Sequence, residues 1–222
     1  WNEIARSLVI KYQTDPPMAS RVYALVSVAQ YDGLVAAGAN AGLFSRPPPG
    51  SLDPGVTLLD PKSAQSGGLL GGAATEAAAQ ENGAQGTAAV ETATSSYPSE
   101  GAVVASASAA VLAYLYPDES AYLEGLHRDQ EEALLLAGAA FPSDVEAAAL
   151  LGRMVTEVVI DHARSDGSDL VGEVTVPVGP GYWTGDDPLR PLWDKVTPWT
   201  TDDISRYRPG PPPAYRSPEF AA

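Results

Sequence analysis

An all-α bundle carrying an extended C-terminal arm is the fold the sequence predicts, and three observations predict it. Apolar residues recur every three to four positions in successive segments between Trp1 and Asp166. Proline, Asp-Pro and Asp-Gly steps punctuate those segments where helices stop and start. Beyond Gly167 the periodicity gives way to an alternation of Pro, Gly, Trp and Asp. The expected organisation is a helical bundle over 1–167, with a low-complexity Gly/Ala/Ser/Thr segment at 63–96, and an irregular Pro/Gly/Trp-rich arm over 168–222. The arm would pack on the bundle or on a neighbouring subunit.

The first helix runs from Trp1 to Tyr12, with Ile4, Leu8 and Val9 on one face, and Asp15-Pro16-Pro17 stops it. Pro17 suits the first turn of the next helix, where its missing N–H is no loss. That helix, to about Gly38, places Val22, Leu25, Val26, Ala29 and Leu34 at helical spacing with few charges on any side, as a helix inside a bundle does. Arg46-Pro47-Pro48-Pro49-Gly50 then predicts an extended loop, because each proline steers the preceding residue away from helix. In the small-residue segment the best helical piece is Ala73 to Gln80. Ser99 is placed to cap a helix over Ala102–Tyr116 with Val104, Val111, Leu112 and Leu115 on one face. Asp118 or Ser120 opens another, to about Ala137, with Leu123, Leu126, Ala133 and Leu134 inward. Ser143 and Glu146 form a capping-box pattern for a long last helix ending near Asp166-Gly167. Val174 to Val178 reads as a short strand. The end, Arg208 to Pro213, reads as polyproline-like and orders only along a surface.

Composition removes several functions. The chain has 222 residues, enough for one good-sized core, and no cysteine, so disulfides, thiolate metal sites and cysteine nucleophiles are excluded. With 13 basic against 28 acidic residues its formal charge of −15 repels nucleic acid and anionic membranes. No nucleic-acid partner is expected. Lysine occurs only at 11, 62 and 195, a bias of proteins that stay in solution in salty water. No apolar run approaches the roughly 18 to 20 residues of a membrane span, the stretch from Val103 being cut by Pro117. A start at Trp1 suggests that a leading segment such as a signal peptide has been removed, so a secreted or extracellular setting is expected.

Several stretches together carry a resemblance: Trp1–Ala5, Ser20–Leu25 with Tyr31-Asp32, Tyr97-Pro98-Ser99-Glu100, Ala137-Gly138 with Phe141–Asp144, Gly179–Trp183 and Pro211–Phe220. The chain resembles the type 2 phosphatidic acid phosphatase and vanadium-dependent haloperoxidase superfamily, particularly its secreted bacterial members. The resemblance implies a helical bundle in which vanadate or phosphate sits among helix ends. In that family the oxyanion is held by a Lys followed seven residues later by Arg-Pro, by a Pro-Ser-Gly-His turn, and by an Arg six residues before a second His. Cations and helix N-terminal amides neutralise the anion; one His attacks phosphate or bonds to vanadium, the other acts as acid, and an Asp one helical turn on orients its ring.

Carried over position by position, the family pattern is largely emptied of charge. Ala41 stands for the Lys, Pro48 for the second Arg of an Arg-Pro-Arg-Pro run, Gly101 for the first His, Leu134 for the other Arg and Ala140 for the second His. Arg46, Ser99 and Asp144 survive. An oxyanion with one nearby cation is not expected to bind.

The remaining constellations have plainer readings. His127 and His162 are taken as exposed or capped helix residues, with no ligand spacing to Asp129 or Asp161. Ser99 has no His or Lys near it in sequence to activate it, which favours a capping role over a nucleophilic one. Glu131-Glu132 and Asp186-Asp187 read as solvated, and Asp202-Asp203 with Arg206 and Arg208 as a turn with surface ion pairs. Gly67–Gly72 lacks the Gly-Lys-Ser/Thr ending of a phosphate loop. No catalytic residue, cofactor or metal is expected.

Two functional readings follow. In the first the chain is a catalytically inactive haloperoxidase- or phosphatase-like protein, a secreted structural or self-assembling subunit of a filament or surface layer, forming a homo-oligomer through the C-terminal arm. In the alternative it is a residual acid phosphatase or vanadium haloperoxidase, using phosphate or vanadate, or a cofactor-free enzyme reusing the cavity. Loss of even one oxyanion donor costs about two to three orders of magnitude in rate, which weighs against the alternative.

Overall fold

A computed structural model describes residues 1–53, 55, 95–185, 187–201 and 204–221. Among them the regular structure is helical: α1 (Asn2–Lys11), α2 (Pro16–Phe44), the short α3 (Pro49–Leu52), α4 (Glu100–Leu115), α5 (Ser120–Leu136), α6 (Pro142–Ser165) and the short α7 (Pro218–Ala221). Single 3₁₀ turns sit at Pro117–Glu119, Trp193–Lys195 and Ile204–Tyr207. Residues 174–178 form no strand, and no strand occurs among the described residues. Val174 and Val178 lie largely exposed, so the run lacks the half-buried surface that favours a strand. The piece at 73–80 and the glycines at 67–72 lie outside the described residues.

The chain divides into two compact units, Trp1–Ile160 and Asp161–Ala222. In the first, α4 is the central helix, and its small residues explain why. Ala102, Ala105, Ser106, Ala107, Ser108 and Ala109 are all buried, so neighbours approach it from several sides. A Cβ on Gly33 of α2 would meet Val103 Cγ1 at 2.8 Å, and one on Gly152 of α6 would meet Ser106 Cβ at 2.7 Å. Leu25, Val26, Val111, Leu112 and Leu123 fill the spaces around these close approaches. Each such side chain removed from water contributes roughly 1.5–3 kcal/mol. The buried hydroxyls are satisfied: Gln30 Nε2 donates to Ser108 Oγ at 2.9 Å, and Ser106 donates to the Ala149 carbonyl at 3.1 Å.

Helix α2 departs from expectation by its length. Asp15 caps it, accepting from the Met18 N–H at 3.0 Å, with Pro16 in the first turn. It passes Gly38 and Gly42 and ends at Ser45, whose φ of 37° is left-handed, just before Arg46-Pro47 turns the chain extended. The continuous stretch Pro16–Leu52 is long and apolar enough to cross a membrane by length and composition, with a mean hydropathy of 1.2 in its best window. The expectation that no run approaches that length therefore fails, because the glycines continue the helix. Only 33% of that window is buried. The expected Pro-rich loop also shortens, Pro49–Leu52 forming one helical turn with Pro48 in front of it.

Helix α5 buries Leu123 but exposes Ala133. His127, expected at the surface, is instead 8% exposed. Glu131 Oε1 lies 3.1 Å from its Nε2 without hydrogen-bond geometry, and Glu124 Oε2 lies 3.8 Å from Nδ1. The helix is tied to its neighbours by Gln130, which accepts from Trp1 Nε1 at 2.7 Å and donates to the Gly101 carbonyl at 3.1 Å. Lys11 and Tyr12 at the end of α1 grip Glu119 in the turn before α5, Tyr12 Oη donating at 2.7 Å and Lys11 Nζ forming an ion pair. These two donors hold the Glu119 carboxyl below its usual range, and the same hydrogen bond pushes the Tyr12 hydroxyl up to about 12.

In the second unit, His162 stacks on Trp199 at 3.8 Å between ring centroids. The Thr197 N–H donates to the Asp166 carbonyl at 2.7 Å, so the strap containing Trp199 folds back on the helix end. Asp194 pairs with Lys195 and with Arg208, at 3.2 and 3.4 Å. Arg208 thus takes Asp194 as a partner; Asp202 and Asp203 lie outside the described residues.

Candidate functional site

Arg46, Ser99 and Asp144, singled out in the sequence, come together where α2 ends, α4 begins and α6 begins. The left-handed Ser45 turns the chain so that Arg46 runs beside Ser95 and Ser96. The Ser96 N–H donates to the Arg46 carbonyl at 2.6 Å, and the Arg46 N–H donates to Ser95 Oγ at 3.0 Å. The Tyr97–Pro98 bond that follows is cis, and Ser99 then leads into α4.

Asp144, in the first turn of α6, is the centre of the cluster and its side chain is fully buried. Arg46 Nη1 donates to its Oδ1 at 2.6 Å and to Ser143 Oγ at 2.7 Å. Its other oxygen, Oδ2, accepts from Ser96 Oγ at 2.7 Å and from the Phe141 N–H at 3.0 Å. The Arg46 guanidinium lies 4.0 Å from the Phe141 ring centroid, a stacked arrangement that suits its planar charge. A buried carboxylate is tolerated here because a cation, a hydroxyl, an amide and a helix N-terminus all face it.

Two capping expectations change as a result. Asp144, reaching back to the amide just before the helix, does what the third-position acid of a capping box does, while Ser143 accepts from Arg46 and Glu146 stays exposed. Ser99 stands at the N-cap position of α4, but its hydroxyl makes no cap bond. It joins the cluster through its backbone, the N–H donating to the Asp144 carbonyl at 3.2 Å.

Positions 101, 134 and 140 are packing surface. A Cβ on Gly101 would sit 3.2 Å from Leu134 Cδ2, so these two positions are pressed together. Leu134 in turn packs on an apolar cluster of Ala37, Ala102, Val103, Ala140, Val145 and Ala148. Ala41 lies one helical turn beyond Ala37 and is half-buried, and Pro48 is half-buried before α3. Among the described residues, the cluster holds one cation, already bonded to a carboxylate, and no imidazole. His127 on α5 and His162 in the second unit belong to other surroundings. Among the described residues no group of three or more His, Asp or Glu side chains is placed to hold a metal.

Sequence reasoning missed Ser96 and Phe141 as partners of Asp144. Ser96 lies 48 positions away and carries no spacing signal. Phe141 was visible only as part of the Phe141–Asp144 stretch. Comparison of the chain with protein-family models, with curated proteins and with solved structures finds no match.

Proposed function

We propose that the chain is a catalytically inactive haloperoxidase- or phosphatase-like protein, retained as a secreted structural or self-assembling subunit. The observation that supports this reading is the state of Arg46. Its guanidinium is bonded to Asp144 and Ser143 and stacked on Phe141, so an incoming phosphate or vanadate would compete with a charge pair already in place. A tri- or dianion needs several donors at once, and the Gly101, Leu134 and Ala140 positions supply none from their side chains.

The assembly half of the proposal rests on the second unit. Tyr182, Trp183, Tyr207, Tyr215 and Phe220 are exposed there, beside the exposed Arg208–Pro213 stretch. Amphipathic aromatics and preformed polyproline geometry lower the ordering cost of binding, which is how extended arms hold neighbouring subunits. Size-exclusion chromatography with light scattering is the test. The proposal expects association that weakens on deletion from Arg208 onward; a strictly monomeric protein at high concentration and high salt would contradict it. Hydrolysis of p-nitrophenyl phosphate or vanadate-dependent halide oxidation, lost on Arg46→Ala, would instead establish the enzymatic alternative.

A further inference from the structure

We propose that the C-terminal arm joins copies of this chain by exchange: Tyr215 leaves the seat it occupies at Gly181 of its own chain and fills the same seat on a second copy. The proposal rests on the assembly reading above and names the contact through which that assembly works. The complement of the seat is visible in the structure, because the chain's own Tyr215 fills it.

The seat is a tight turn within the second unit. The Tyr182 N–H donates to the Gly179 carbonyl at 3.2 Å across Pro180 and Gly181, and Gly181 has a φ of 91°. Proline followed by a left-handed glycine is the signature of a type II turn. Tyr215 occupies the space left by the missing side chain of Gly181: a Cβ there would meet its Cδ2 at 2.9 Å, its Cγ at 3.0 Å and its Cβ at 3.1 Å. Phe220 braces the Tyr215 ring edge-on, 5.4 Å between centroids. The Ser217 N–H donates to the Ala214 carbonyl at 2.9 Å and the Phe220 N–H to the Ser217 carbonyl at 3.1 Å. The piece that carries Tyr215 is thus folded on itself and can move as one.

That piece is held lightly. Tyr215 remains 46% exposed in its seat and Phe220 55%. Its tether, residues 208–214, is exposed throughout, and four of its seven residues are prolines with no N–H to bond. Arg208, paired with Asp194 at 3.4 Å, marks where the tether leaves the rest of the unit. Five residues of polyproline geometry from Pro209 to Pro213 span about 15 Å and hold the arm away from its root. Exchange remakes the same seat contact on the partner, so the contact itself is not lost, and identical elements traded between protomers are a low-cost route to assembly. A reciprocal trade closes a dimer, and a one-way trade continues into an open chain.

Charge favours an arm over a broad face. Residues 204–221 contain Arg206, Arg208 and Arg216 against Glu219, a formal +2, so the remainder of the chain carries −17. Whole copies repel, whereas the arm of one is attracted to the body of another.

The chain has no cysteine, so the exchange can be trapped in the full chain. Gly181→Cys and Tyr215→Cys are made separately and mixed; a disulfide between positions 181 and 215 then joins two chains. The Cβ separation of 3.1 Å is close to the roughly 3.5–4.5 Å of a disulfide. The expected result is a covalent dimer at least about tenfold more abundant in the mixture than in either variant alone. In sedimentation, Tyr215→Ala should weaken association at least about tenfold at unchanged circular dichroism, and Tyr207→Ala should not. Association that weakens on deletion from Arg208 but is indifferent to Tyr215→Ala, or that yields no mixed disulfide with a folded Gly181→Cys chain, would overturn the exchange and leave the arm as the interface. Absence of association at any concentration would overturn the assembly reading itself.

Discussion

Arg46 and Asp144, 98 positions apart, form a 2.6 Å ion pair whose carboxylate is wholly buried and whose guanidinium remains 38% exposed. The asymmetry decides how each substitution behaves. Arg46→Met leaves a buried carboxylate with only neutral donors, the Ser96 and Ser143 hydroxyls and the Phe141 amide, and should cost about 3 kcal/mol. Asp144→Leu leaves a cation that can turn to water, and costs less on that account while losing the bond to the Phe141 amide. The double variant should cost clearly less than the sum of the two, as partners of one buried pair do. Urea denaturation of the four proteins of this cycle measures it.

A histidine placed at 101 would meet Leu134. Because a Cβ there already sits 3.2 Å from Leu134 Cδ2, Gly101→His should destabilise by about 1–3 kcal/mol through overpacking. Combining it with Leu134→Ala should recover part of that loss. Thermal melts of the single and double variants provide the comparison, and an additive loss would show that the two positions are not in competition.

Glycines on α5 and α6 should respond in opposite directions to alanine. At Gly152 the added methyl would meet Ser106 Cβ at 2.7 Å and the Val103 carbonyl at 3.0 Å, so α4 and α6 must part; a loss of about 1–3 kcal/mol is expected. At Gly125 it meets nothing within 4 Å, and the gain in helix propensity should stabilise by up to about 1 kcal/mol. Chemical denaturation distinguishes the two signs.

Acid should loosen the clamp between α1 and the turn at Pro117–Glu119. Hydrogen bonds from Lys11 and Tyr12 lower the Glu119 carboxyl from its usual 4.5. A lowered folded-state value means that the contribution is complete above 4.5 and is lost as pH falls through the depressed value. Glu119→Gln should therefore flatten the stability–pH profile below 4.5. The Tyr12 hydroxyl, raised from 10.0 to about 12 by the same contact, acts in the other direction. Its contribution is complete below 10 and disappears as pH rises towards 12, an alkaline step that Tyr12→Phe should remove.

Helix existence was legible from apolar spacing and proline punctuation for α1, α2, α4, α5 and α6, because each buries a face at helical period. What the spacing did not convey was where partners lie in space. Gly38 looked like a helix end, but α2 continues to Phe44 since no proline or left-handed residue intervenes before Ser45. Ser143 and Glu146 matched a capping box, yet the neighbouring Asp144 makes the reciprocal bond, drawn by Arg46 and Ser96 from distant segments. His127 looked like a surface residue on a charged helix, and only the way α5 packs buries it. Within the site, Arg46, Ser99 and Asp144 could be singled out from the sequence, but the direct pairing of Arg46 with Asp144 could not, because 98 positions separate the partners.

The central proposal is that Arg46, Ser99 and Asp144 form no oxyanion site. Titration of the protein with vanadate, followed by ⁵¹V NMR and calorimetry, tests it most directly. The account predicts no saturable binding and no change on Arg46→Ala; stoichiometric binding that Arg46→Ala abolishes, in a variant that remains folded, would contradict it.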